Sequence, residues 1–169
     1  MSRKFLKKAA IGCATAFGIL FATSFLGLVY WLWSGMKEQE QIAADINIRI
    51  DSPPEVSQYE EFAIDIYLEN TSANPYKLSD IDVPPEYFEE VNIFDAQPPF
   101  HDRFVGVATG QMNYKFKVDI PPQQTTKVTL LAISENPGTY REFISVCINT
   151  SSTCIGNTIR TEVVTEKSQ

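Results

Sequence analysis

The chain has 169 residues, 21 acidic against 14 basic, and 44% of it is hydrophobic. All the acidic residues and ten of the basic ones follow residue 33, so that part carries a formal charge of −11. Such a balance excludes nucleic acid as an expected partner, because that binding needs a basic surface. Residues 34–169 are enough for one domain with a core and too few for two.

The first element is an uncharged run from Ala9 to Trp33, AAIGCATAFGILFATSFLGLVYWLW. As a helix it would extend about 37 Å, enough to cross a hydrocarbon core of about 30 Å. Arg3, Lys4, Lys7 and Lys8 precede it, whereas only Lys37 follows closely, diluted by Glu38 and Glu40. The positive-inside rule therefore puts residues 1–8 in the cytoplasm and the C-terminal part outside, and Tyr30, Trp31 and Trp33 fit an outer aromatic belt. Cleavage after Ala22-Thr23-Ser24 would leave nine apolar and aromatic residues at a new N-terminus. The apolar stretch before Cys13 in Ala10-Ile11-Gly12-Cys13 is too short for a lipoprotein signal, and an all-round apolar core helix of this length needs a larger protein around it. A retained signal anchor in the plasma or inner membrane is expected. Within it Ala10, Ala14, Gly18 and Ala22 form a stripe of small side chains that either receives another helix or faces lipid.

Residues 34–44, SGMKEQEQIAA, read as a short polar stalk with good helix formers from Met36 onward. Alternation then begins. Ile46, Ile48 and Ile50 predict a half-buried strand that Asp51-Ser52-Pro53-Pro54 breaks, and Phe62, Ile64, Ile66 and Leu68 predict a second. Tyr76 to Ile81 is a weaker candidate. From Asp80 to Gln111 the pattern fails: the segment is acidic and aromatic, with Pro84-Pro85 and Pro98-Pro99. It holds a short helix candidate at Pro84 to Glu90 and a poorly marked strand near Arg103 to Val107. Regular strands return at Met112 to Val118, Lys127 to Ile133, Tyr140 to Ile148 and Gly156 to Val164.

About seven strands, frequent turns and no long amphipathic helix predict an all-β fold over residues 45–166: an immunoglobulin-like antiparallel β-sandwich preceded by one N-terminal transmembrane helix. A partly closed barrel is the alternative. Cys147 and Cys154, outside the cytoplasm, predict a structural disulfide, which a metal site would need further ligands to replace.

Three stretches carry a family resemblance: Ile64-Asp65-Ile66-Tyr67-Leu68-Glu69-Asn70, then Ile120-Pro121-Pro122 leading into Lys127-Val128-Thr129-Leu130, then Pro137-Gly138-Thr139-Tyr140 leading into Ile144-Ser145-Val146. In these the chain resembles the bacterial immunoglobulin-like domains of the cell-adhesion-related, CARDB-like kind, over most of residues 45–164. The resemblance implies an extracellular binding or spacer module.

No nucleophile elbow, phosphate loop or nucleotide fingerprint is present, so no catalytic residue, cofactor or small-molecule substrate is expected. His101-Asp102-Arg103 reads as a surface stretch. Asp80, Asp82 and Glu86 offer calcium-type oxygen ligands without the ordered spacing of an EF-hand loop, and a solvated acidic face is the plainer reading. Asn70-Thr71-Ser72 and Asn149-Thr150-Ser151 match the N-glycosylation pattern. Tyr87, Phe88, Phe94, Phe100 and Phe104 form either a lid over the core or a protein-docking surface. The expected function is that of a non-enzymatic accessory or assembly subunit, whose sandwich and membrane helix contact the bilayer and other membrane-protein subunits. The rival is an anchored adhesion or ligand-binding module, with or without calcium.

Overall fold

The computed structural model describes residues 29, 30 and 32–165. Apart from residues 29, 30, 32 and 33, the expected membrane span lies outside the described residues, as do the basic N-terminus and the stripe of Ala10, Ala14, Gly18 and Ala22. Among the described residues, no helix is long and apolar enough to cross a membrane.

Helix α1 covers residues 29, 30 and 32–45. The chain divides into two compact units at Glu40 and Gln41. Ile42 belongs to the second unit and is buried in its core, so the core reaches back into the segment read as a stalk.

The second unit is a β-sandwich. Strands β1 (Ile46–Asp51), β3 (Glu61–Asn70), β8 (Thr125–Ser134) and β5 (Val91–Gln97) form a four-stranded sheet in the order β1-β3-β8-β5. Strands β2 (Glu55–Ser57), β10 (Cys154–Val164), β9 (Gly138–Ile148), β4 (Tyr76–Val83), β7 (Met112–Ile120) and β6 (Asp102–Val105) form a six-stranded sheet in the order β2-β10-β9-β4-β7-β6. Ten strands thus replace the expected seven or so among the described residues. Every pairing is antiparallel except β2 with β10.

Alternation builds the core. Phe62, Ile64, Ile66 and Leu68 of β3 are buried, and Ile64 and Ile66 stand opposite Leu130 and Val128 of β8. Opposite them in the interior are Ile81 and Val83 of β4, Tyr114 and Phe116 of β7, and Ile144, Val146 and Ile148 of β9. Each fully buried side chain of this size contributes roughly 1.5–3 kcal/mol. At Ser52-Pro53-Pro54 the chain passes from β1 in one sheet to β2 in the other, both at edges, where a residue without N–H does least damage to a ladder.

The segment read as irregular is instead structured. After β4 the chain forms helix α2 (Pro85–Phe88), then β5 at the edge of the small sheet, then β6 at the edge of the large one. Arg103 of β6 donates to the Ile93 carbonyl of β5 at 3.2 Å, linking the two edges.

Candidate functional site

A bulge in β4 sets the chemistry of the outer face of the six-stranded sheet. Leu78 stands opposite Ile148 of β9, yet Asp80 stands opposite Cys147, so β4 holds one extra residue against its neighbour. The extra residue reverses the alternation: Leu78 and Ile81 both enter the core, and Asp80 and Asp82 turn to the outer face. There they meet Lys115 of β7 and Cys147, residues whose own neighbours in sequence point inward.

Both carboxylates are buried, and Asp80 Oδ1 and Asp82 Oδ1 have no hydrogen-bond partner. The Lys115 ammonium donates to Asp80 Oδ2, and to Ser151 Oγ at 2.8 Å, and lies 5.4 Å from the centre of the Phe104 ring. One lysine therefore ties β4, β6, β7 and the β9–β10 turn together. Asp82 has no such cation of its own. Burial first, and then the charge of Asp80, push its carboxyl up to about 6, against the opposing pull of Lys115.

Cys147 and Cys154 face each other across β9 and β10 and form the expected disulfide. Cys147 is buried and Cys154 is half-buried. Cys147 Sγ lies 3.5 Å from Asp82 Oδ2. These two sulfurs and Asp82 converge closely enough to suggest a metal centre, but the disulfide removes the thiolates such a centre requires. As to calcium, the cation beside Asp80 is the chain's own Lys115, and Glu86 is exposed in the first turn of α2.

A second feature adjoins the first. Strand β6 is the outermost strand of its sheet, so one side of its backbone is unpaired, and all four of its residues are exposed. Phe104, Val105 and Val107 project large apolar surface here, Val107 completely. A depression of about 420 Å³ alongside is lined by Lys77, His101, Lys115, Lys117 and Ser151. Two of these lysines are paired, Lys115 with Asp80 and Lys77 with Asp119 at 3.6 Å.

The five aromatic candidates separate. Tyr87 is wholly buried and its hydroxyl lies 3.0 Å from Thr161 Oγ1, which makes it a core residue and removes it from any partner surface. Phe88 and Phe100 pack against the core, Phe100 edge-to-face on Tyr114 with ring centres 5.3 Å apart. Phe94 and Phe104 are exposed. Val105 and Val107 were invisible as candidates because single valines near turns carry no signal until an edge strand is known. The Asp82–Cys147 contact was equally hidden, since 65 residues separate the two.

No family model matches the chain, and no curated protein matches it. Solved structures give likenesses of fold. The chain is similar to the CARDB domain of the PF1109 protein from Pyrococcus furiosus, crystallised in complex with di-metal ions: 16% identity, TM-score 0.46, over 71% of this chain and 88% of that one. The solution structure of the same domain gives 15% identity and a TM-score of 0.45, over 71% and 94%. A cohesin module from a Clostridium perfringens family 33 glycoside hydrolase gives 11% and 0.42, over 72% and 98%. Each of these likenesses, the CARDB-like one included, is one of fold alone.

Proposed function

We propose that the protein is a non-enzymatic, single-pass membrane protein whose extracytoplasmic sandwich docks a protein subunit of a membrane complex along the β6 edge. The observation that carries this reading is the exposure of Phe104 and Val105 on a strand with an unpaired side, and of Val107 in the turn that follows it. An unpaired edge offers main-chain hydrogen bonds to an added strand, and exposed apolar side chains give that strand something to bury. Of the neighbouring cations Lys115 is engaged by Asp80 and Lys77 pairs with Asp119 at 3.6 Å, so the apolar side chains rather than charge select the partner, an extended segment with apolar residues to bury. The anchor rests on the uncharged run of residues 9–33 and on the basic residues before it. Localisation in the plasma or inner membrane and the cytoplasmic N-terminus follow from the same run.

The test is a paired substitution, Phe104→Asp with Val107→Asp, in the full-length protein. Loss of co-purifying subunits at an unchanged melting temperature supports the reading, and retained association overturns it. Ala14→Leu with Gly18→Leu separately measures what the membrane helix contributes to the association.

A further inference from the structure

The cluster of Asp82, Cys147 and Cys154 has no part in edge docking. A disulfide that only staples a hairpin needs no acid beside it, and a buried carboxyl oxygen without a partner, as Asp82 Oδ1 is, destabilises the fold. Here the acid touches one particular sulfur. Cys147 is fully buried against Asp82 Oδ2 at 3.5 Å, whereas Cys154 is half-buried on the neighbouring strand. The two sulfurs are thus unequal: that of Cys154, 3.5 Å from the Ser151 carbonyl oxygen, belongs to the less buried residue, and that of Cys147 is held next to a carboxyl group.

We propose that Cys147–Cys154 is a thiol–disulfide exchange site for a dithiol partner, with Cys154 the sulfur attacked and Asp82 the general acid and base for Cys147. In the reducing direction a partner thiolate attacks Cys154 Sγ. The Cys147–Cys154 bond breaks, its electron pair leaves on Cys147, and Cys147 takes the proton from Asp82 Oδ2. The partner's second thiolate then attacks its own sulfur in the mixed disulfide and releases the Cys154 thiolate, which takes a proton from water. The partner leaves as a disulfide, two electrons poorer, its two protons have passed to solvent, and Asp82 is reprotonated from solvent. Oxidation is the reverse, with Asp82 accepting the Cys147 proton.

The groups facing Asp82 suit this role. Asp80 on its own strand raises the cost of a second negative charge, and Lys115 on β7 is engaged by Asp80 and Ser151. In register Asp82 stands opposite Asn113 of β7 and Ser145 of β9, neither of them charged. The carboxyl raised to about 6 can both hold and release a proton near neutrality.

The experiment uses the folded full-length protein in mild detergent with 2-mercaptoethanesulfonate as the attacking thiol. Loss of the disulfide is followed by acid quench, alkylation and mass spectrometry from pH 4.5 to 8.5, and each rate is divided by the thiolate concentration. The per-thiolate rate is expected to fall at least roughly tenfold as pH rises through about 6, with the trapped adduct on Cys154. Asp82→Asn is expected to flatten the profile. A flat wild-type profile, an adduct on Cys147, or reaction only after unfolding would each overturn the proposal. The first two readouts need no variant to fold.

Discussion

The Tyr87 hydroxyl and the Thr161 hydroxyl lie 3.0 Å apart in the interior and join helix α2 to strand β10. Ser52 Oγ meets the same Thr161 oxygen at 3.0 Å, so the β1–β2 crossover closes onto the same point. The acidic, proline-rich segment is therefore anchored in the core through a ring that the sequence alone also offers to a partner. Burial pushes the Tyr87 hydroxyl up to about 12, against the pull of Thr161, and keeps it neutral. Tyr87→Phe is expected to cost about 1 kcal/mol. Tyr87→Ala, which empties the site, should cost about 3–5 kcal/mol in denaturant unfolding. A loss below 1 kcal/mol for the alanine variant would mean that the segment merely lies on the sandwich.

Asp82 gives the fold a defined pH dependence. Its carboxyl stands at about 6 when folded against 3.8 as its ordinary value. The folded state thus binds the proton more tightly, and the stability this confers is complete below about pH 3.8 and lost as pH rises through about 6. That gap corresponds to roughly 3 kcal/mol at most. Asp82→Asn should remove the slope and stabilise the protein at pH 8 by about 1–3 kcal/mol, measured by urea unfolding across pH. Asp65 works in the opposite sense. Burial pushes its carboxyl up, but hydrogen bonds from Lys127 and Thr129 outweigh this and hold it below the usual range, so its contribution is lost as pH falls.

Gly156 of β10 stands opposite Ser145 of β9, against the β9 backbone. A Cβ there would run into the Ile144 carbonyl oxygen and lie 3.0 Å from the Ile144 carbonyl carbon, both part of the backbone and unable to swing aside. Gly156→Ala should cost about 1–3 kcal/mol or prevent folding. At Gly138 the nearest atoms belong to the Tyr140 side chain, which can move, so Gly138→Ala should cost visibly less. Equal melting temperatures for the two variants would contradict this packing.

The two glycosylation sequons are unequal. Asn70 is buried, and its amide donates to the Asn74 carbonyl at 2.7 Å and to Ile120 at 3.2 Å while its oxygen accepts from Ser72. Asn149 is exposed in the β9–β10 turn. Expressed through a glycosylating secretory pathway, the folded protein should carry glycan at Asn149 and none at Asn70, read by mass spectrometry of peptides. Modification at neither would count against an extracytoplasmic sandwich.

Strands with clean alternation were legible in the residues. Phe62, Ile64, Ile66 and Leu68 declare β3, and Ile144, Val146 and Ile148 declare β9, because one face is buried and the period is two. The sheets' edges were not. β5 carries a register shift between Ile93 and Asp95, β6 has no buried residue at all, and β2 has three residues, so none can show a period. β4 was misjudged as weak, although it is central, because its bulge breaks the alternation between Leu78 and Asp80. The disulfide was legible from spacing and expected compartment. The acid beside it was not, since register between β4 and β9 is long-range information.

The most direct measurement is extraction of the native protein in mild detergent, followed by size analysis and mass spectrometry of whatever migrates with it. A stoichiometric set of other membrane proteins is expected, lost when Phe104 and Val107 are both replaced by aspartate. Migration of the wild-type protein by itself would contradict the docking role.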